Sequence, residues 1–138
     1  PVDYYNIPFG KAKFVQNGEQ LSIITYGMGV HWALKAVEEL EISANILDLR
    51  TLVPLDWDSI AEAVKKTGRV LVLHEDTLFG GLGGEIAARI GEECFEYLDA
   101  PVKRLASIDT PVPFTSTLEA NFLPETRLKA TLKELLEY

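Results

Sequence analysis

Three features of the 138-residue sequence predict an α/β fold, a three-layer α/β/α domain with a mostly parallel five-stranded sheet and one antiparallel strand. Short strand-like apolar runs alternate with segments of helical periodicity almost throughout, the pattern of strands joined by covering helices. RVLVLHE (69–75) reads as the clearest core strand. The Asn17-Gly18 pair near the start sits between two strand-like runs and supplies the antiparallel member.

Taken in order, AKFVQNGEQLSIITY places that pair so that residues 12–16 and 21–26 are expected to form a hairpin. In VHWALKAVEEL, Val30, Ala33, Leu34, Val37 and Leu40 recur at helical spacing and make one apolar face. ANILDL (44–49) is a short buried strand. Asp56 caps the next helix, whose face is Trp57, Ile60, Ala61 and Val64, and Gly68 ends it. After strand 69–75 come four glycines within five positions. A helix then runs from about Gly84 to Leu98, with Ile86, Ala87, Ile90, Cys94 and Leu98 inward. VKRLASI (102–108) is the last strand. A loop carrying Pro111, Pro113 and Pro124 leads to a final helix on which Leu128, Leu132, Leu135 and Leu136 form the apolar side. Pro124-Glu125 suits its start. Strands separated by helices in this way call for right-handed crossovers.

Composition narrows the function. A net charge of −8 argues against a nucleic-acid backbone as partner and permits docking to something basic. A single cysteine, Cys94, excludes an internal disulfide and a cysteine-rich zinc site. No apolar run approaches the ~20 residues of a membrane span, and no signal-peptide pattern opens the chain. The opening PVDYYNIP reads as a linker, so residues 1–10 are expected to connect to a missing N-terminal domain, with one domain over 11–138.

The stretch HEDTLFGGLGGEIAARI (74–90) invites a phosphate-binding reading, because it follows a strand end and opens a helix. Spacing argues against it. From Gly81 the sixth position of the dinucleotide pattern is Ile86, and Gly84 is followed by Glu85 where a P-loop needs Lys. Glu85 also puts a negative charge where an anion would sit. A tight, close-packed turn is expected, with no cofactor held by it.

His74, Glu75 and Asp76 form a titratable cluster at the strand end. His74 reads either as a general acid/base at a cleft rim or as a partly buried histidine tied to a neighbouring carboxylate or carbonyl. His31 is far away in sequence, so no metal site is expected. No nucleophile stands out, since Cys94 occupies an apolar helical position where an inert thiol belongs. Asp48 and Arg50 in LDLRTL sit at a strand end, where Arg50 suits an anion contact or, more commonly, a structural salt bridge. Glu85, Glu92, Glu96 and Asp99, broadened by Glu93, fall on roughly one stripe of the 83–98 helix. That stripe is either a solvated face or an acidic docking surface.

Several stretches in order resemble one family: IPFGKAKFV, DLRTLVPLDWDSI, KKTGRVLVLHEDTLFGGLGGEIAARI and FEYLDAPVKRLASIDTPVPF. They are similar to the C-terminal domain of transketolase-like thiamine-diphosphate enzymes. More narrowly they resemble the beta subunit of the decarboxylating component of 2-oxo acid dehydrogenase complexes, of pyruvate or branched-chain type. VLHED with the glycine run, and LDAPVKR with IDTPVPF, carry most of that resemblance. Asp76-Thr77 replaces a common alanine-proline pair, and Leu82 a common aromatic.

The resemblance implies an oxidoreductase in a multienzyme complex. Its thiamine diphosphate and magnesium would lie between two other domains, with none bound by this chain. It implies an alpha subunit or portion, a second beta copy and the basic subunit-binding domain of an acyltransferase core as partners. The location would be the bacterial cytoplasm or the mitochondrial matrix. Asp99 and Tyr138 are carried over to the acyltransferase-docking surface, and Glu92 and Glu96 join them by helical spacing. Leu78, Phe79, Gly80, Gly81, Leu82 and Gly83 are expected at a subunit interface, and His74 is the single candidate for chemistry. A ketol transferase of the transketolase or deoxyxylulose-phosphate-synthase type and a non-enzymatic acidic interaction module are the alternatives.

Overall fold

The computed structural model of the chain describes residues 4–138. Its strands are β1 (Lys13–Gln16), β2 (Leu21–Thr25), β3 (Ala44–Asp48), β4 (Val70–Thr77) and β5 (Lys103–Ser107). Its helices are α1 (Met28–Leu40), α2 (Trp57–Thr67), α3 (Leu82–Glu93), α4 (Ser116–Phe122) and α5 (Glu125–Leu136), with a 3-10 turn at Phe95–Tyr97. The sheet runs β1-β3-β2-β4-β5; only β1 is antiparallel to its neighbour. The predicted three-layer architecture with one antiparallel strand is therefore the observed one.

Burial follows the alternation of strand side chains. On one face Leu21, Ile23, Ile46, Leu71 and Leu73 meet Trp32, Ala33 and Val37 of α1 and Leu128, Leu132 and Leu135 of α5. On the other, Ile24, Leu47, Val70 and Val72 meet Ile60 and Val64 of α2 and Ile86 and Ile90 of α3. A buried hydroxyl node ties α2 to the sheet: Ser22 Oγ donates to the Ala63 carbonyl at 2.8 Å and accepts from Thr67 Oγ1 at 2.9 Å. The predicted caps of α2 hold. Asp56 accepts from the Ser59 N–H, and Gly68 closes the helix at φ 66°.

Three expectations change. Residues 12–16 and 21–26 form no hairpin, because β1 pairs with β3 in the register Lys13↔Asp48 and Phe14↔Leu47. The Asn17-Gly18 segment instead crosses the start of β3. The Glu19 and Gln20 N–H groups donate to the Ser43 carbonyl at 3.1 and 2.8 Å, and a Cβ on Gly18 would overlap the Ala44 backbone. The helix expected to reach Leu98 stops at Glu93, after which Cys94 caps it and a 3-10 turn follows. The loop between Pro111 and Pro124 contains the short helix α4, which buries only Phe122.

The topology also fixes where a site belongs. The connection through α1 leads from β2 to β3 on one side, and the connection through α2 returns across β2 to β4. Neighbouring strands β2 and β4 therefore flank the point where the winding reverses, and their carboxyl ends carry Tyr26 and His74. In open α/β sheets that crevice is the usual place for function.

Candidate functional site

His74 is the fifth residue of β4 and shares its parity with Val70 and Val72, so strand geometry aims it at the α3 side. Its ring is 0% exposed. Above it the chain turns through Gly80, at φ 76°, into α3, with Gly81 as the N-cap. A Cβ on Gly81 or on Gly83 would overlap the imidazole. Those two glycines are thus the space that the ring fills, while Gly80 supplies the left-handed backbone. The Tyr26 ring stacks on the same imidazole at 6.3 Å and 12°.

Neither ring nitrogen has a hydrogen-bond partner among the described residues. Burial pushes the His74 pKa down; the negative charge of Asp76 opposes this and Arg104 adds to it. Burial therefore favours the neutral ring, and the first turn of α3 presents its positive end to it. The Tyr26 phenol is raised, first by burial and then by Asp76 and Glu75.

The turn is pinned from outside. The Leu78 N–H donates to the Ser107 carbonyl at 3.1 Å, the Phe79 N–H to Asp109 Oδ1 at 2.7 Å, and Arg104 Nη1 to the Leu78 carbonyl at 3.2 Å. His74 was expected at a rim, or tied to a carboxylate or carbonyl; it is instead an interior packing group with no exposed atom to offer a substrate. The same ring takes up the space beneath the turn, and Glu85 lies in the first turn of α3. These residues do not fit a diphosphate. No group of three or more potential metal ligands occurs among the described residues.

The residues expected at a subunit interface divide. Phe79 is 85% exposed, and Gly80 is exposed beside it. Leu78 is partly buried, Gly81 and Gly83 lie inward, and Leu82 packs on the core cluster of Ile86 and Val72. Sequence reasoning missed the rest of this surface: Ile108, Val112, Phe114 and Leu118 are also exposed, in the segment that Asp109 ties to Phe79. Apolar residues spaced by Pro111 and Pro113 were the available signal. Beside them a cavity of about 280 Å³ separates β4 from α4, with Glu75, Asp76 and Glu119 at its rim and Phe122 and Leu123 in its wall.

The acidic residues lie at the opposite end, near the amino ends of the parallel strands. Glu92 is in the last turn of α3, Glu96 is in the 3-10 turn, and Asp99 follows it. They do not form one helical stripe, because the helix ends between them; all three are nevertheless exposed. Glu93 is paired with Arg89 at 2.7 Å. The Asp99 N–H donates to the Gly68 carbonyl at 2.8 Å. Tyr138 is exposed and lies 5.8 Å from Lys103 Nζ, at the start of β5. Arg50 takes the ion-pair role, with Nε 3.8 Å from Asp48 Oδ2. Cys94 is buried, and burial, the largest cause, pushes its thiol pKa up.

Comparison with known proteins matches residues 10–127 to the transketolase C-terminal domain family. The chain is 46% identical to the 2-oxoisovalerate dehydrogenase subunit beta of Bacillus subtilis, over all of this chain and 44% of that protein. It is 46% identical to the pyruvate dehydrogenase E1 component subunit beta of Rickettsia bellii, over 86% of this chain and 37% of that one. Other relatives include mitochondrial beta subunits of both dehydrogenases. A solved split-gene transketolase, described as an inactive beta4 tetramer, superimposes with a TM-score of 0.80 at 26% identity, over 96% of this chain and 43% of that one. The chain spans less than half the length of the curated relatives it matches.

The packing of His74 against the glycines has a direct test. Gly83→Ala is expected to cost about 1–3 kcal/mol in urea denaturation, as overpacking does. Adding His74→Ala should recover at least about 1 kcal/mol of it, the coupling of residues in contact. Strictly additive costs would show that Gly83 is required for something other than the imidazole.

Proposed function

The chain belongs to the transketolase C-terminal domain family, and on that premise we propose that it is the assembly and docking domain of a thiamine-diphosphate-dependent 2-oxo acid dehydrogenase. The parent enzyme would oxidatively decarboxylate pyruvate or a branched-chain 2-oxo acid and pass the acyl group to a lipoyl carrier. The observation that carries this reading is the 46% identity, over the whole chain, to a 2-oxoisovalerate dehydrogenase beta subunit.

In this reading the chain holds neither thiamine diphosphate nor magnesium. The glycine turn is filled by an imidazole and faced by Glu85, so the cofactor belongs to other domains of the enzyme. When bound there, it supplies the stabilised carbanion that decarboxylation needs. This chain's residues contribute surfaces. At the carboxyl end Phe79, Ile108, Val112, Phe114 and Leu118 offer an apolar patch to an alpha subunit or portion, or to a second beta copy. At the other end Glu92, Glu96, Asp99 and Tyr138 offer an acidic surface to the basic subunit-binding domain of an acyltransferase. Residues 1–10 would lead in from a preceding domain; of these, residues 1–3 lie outside the described residues, and Tyr4, Tyr5, Ile7 and Phe9 are exposed. The bacterial cytoplasm or the mitochondrial matrix is the proposed compartment, and no helix among the described residues is long and apolar enough to cross a membrane.

The full-length protein, supplied with its alpha partner, thiamine diphosphate and Mg²⁺, is expected to release CO₂ from pyruvate or from 3-methyl-2-oxobutanoate. Ketol transfer to an aldose without that release would point to the transketolase alternative, and neither activity would favour an interaction module. Phe79→Asp combined with Phe114→Asp is expected to reduce the assembly's mass in light scattering while the far-UV spectrum stays native. Phe79 is the probe because it is exposed, whereas Leu82 packs on the core. Glu92→Lys, Glu96→Lys and Asp99→Lys together should weaken acyltransferase binding at least tenfold at low salt, with the difference shrinking as salt rises. Unchanged affinity at low salt would remove the docking assignment.

A further inference from the structure

The surroundings of His74 assemble a hinge and a trigger in one place. The ring is fully buried with both nitrogens unpartnered, it is wedged beneath the two glycines of a turn, and the exposed half of that turn is tied down at its outer edge by Asp109, Ser107 and Arg104. We propose that His74 and the turn from Leu78 to Gly83 form an acid-operated latch. The neutral ring keeps the turn closed, and a ring that takes a second proton from solvent lifts it and frees Phe79 from Asp109. The inference does not depend on the enzyme to which the chain contributes.

The closed form has no place for an imidazolium. A charged ring carries two N–H donors, and neither finds an acceptor where the ring lies. Leaving them unsatisfied in the interior is costly, and the cost is relieved only when water enters. Water enters by the turn, since strands β2 and β5 flank β4 in the sheet and α3 covers the ring. Gly80 and Gly81 flank the N-terminus of α3, and Gly80 already occupies the left-handed region, so the backbone there can rearrange without a side chain in the way.

The charged groups around the ring are few and come from each neighbouring element. Asp76, on its own strand, favours the proton, and Arg104 from β5 disfavours it. Glu75 follows on β4 and is exposed, Tyr26 stacks at the end of β2, and α3 contributes Glu85, which is also exposed. Burial outweighs Asp76, so the closed form binds the proton less readily than the open form, in which the ring returns toward its ordinary value of 6.5. The closed form is therefore favoured in full above that value and loses ground as pH falls below it.

Hydrogen exchange read by mass spectrometry on the full-length protein tests this. After correction for intrinsic exchange, peptides covering residues 78–84 are expected to lose at least tenfold protection between pH 8 and pH 5, while β2 and β3 peptides keep theirs. In His74→Gln the step should vanish. In Asp76→Asn, a surface change that keeps the Thr77 N–H acceptor, the closed ring loses the charge that favours its proton, so the loss of protection should be at least as large. A turn whose protection ignores pH in the unmodified protein overturns the proposal, and so does a step that shrinks in Asp76→Asn. If His74→Gln does not fold, those two measurements decide.

Discussion

Everything at the carboxyl end of this sheet depends on one steric fit, an imidazole occupying the volume that two glycines leave empty. With any larger residue at 81 or 83 the turn has to rise off the ring. The start of α3 rises with it, and Ile86 and Ile90 lose their seat on Val70 and Val72. The turn in turn sets where Phe79 stands, because its N–H reaches Asp109 and so binds the turn to the segment after β5. A single buried side chain thus links β4, the helix that follows it and the exposed apolar surface. That fit carries an electrostatic penalty, since the ring gives up hydrogen bonds in order to pack.

The two ends of the domain obey different physics. At the carboxyl end, exposed Phe79, Val112, Phe114 and Leu118 are uncharged and gain from losing water, an attraction that salt does not screen. At the amino end, Glu92, Glu96 and Asp99 gain only from an opposite charge, and that attraction fades beyond a Debye length. A domain with both surfaces can hold one partner permanently and another reversibly. The sheet between them is packed on both faces by an apolar cluster, so neither surface has to rearrange the other.

What could be read from the residues, and what could not, divides along the range of the interactions involved. Asp56 and Gly68 announce the ends of α2 through their own backbone chemistry, and the core strand β4 through its own side chains. Asn17-Gly18 is an equally strong local signal, yet the pairing it suggests is wrong. A neighbour distant in sequence, β3, inserts between the two runs, and Gly18 is needed to pass close over Ala44. No glycine or proline stands at the cap of α3, where Cys94 sits, and Gly91 lies within its last turn, so the apolar spacing of Ile86, Ile90 and Cys94 reads as one helix beyond the point where the backbone tightens. The helix α4 buries one side chain, too few to print a period.

The glycine run is the sharpest case, because the correct signal was present and is a matter of parity. Counting by twos from Val70 and Val72 places His74 on the inward face of β4, where a polar ring must be packed, paired or made useful. Its charged neighbours Glu75 and Asp76 suggest a surface site instead, and they are indeed exposed, one residue beyond the last buried position. The boundary between interior and solvent therefore falls between His74 and Glu75. Spacing and Glu85 argue against a phosphate at the glycines. Only the geometry gives the reason for two of them, which is that position 74 faces inward and positions 81 and 83 lie directly over it.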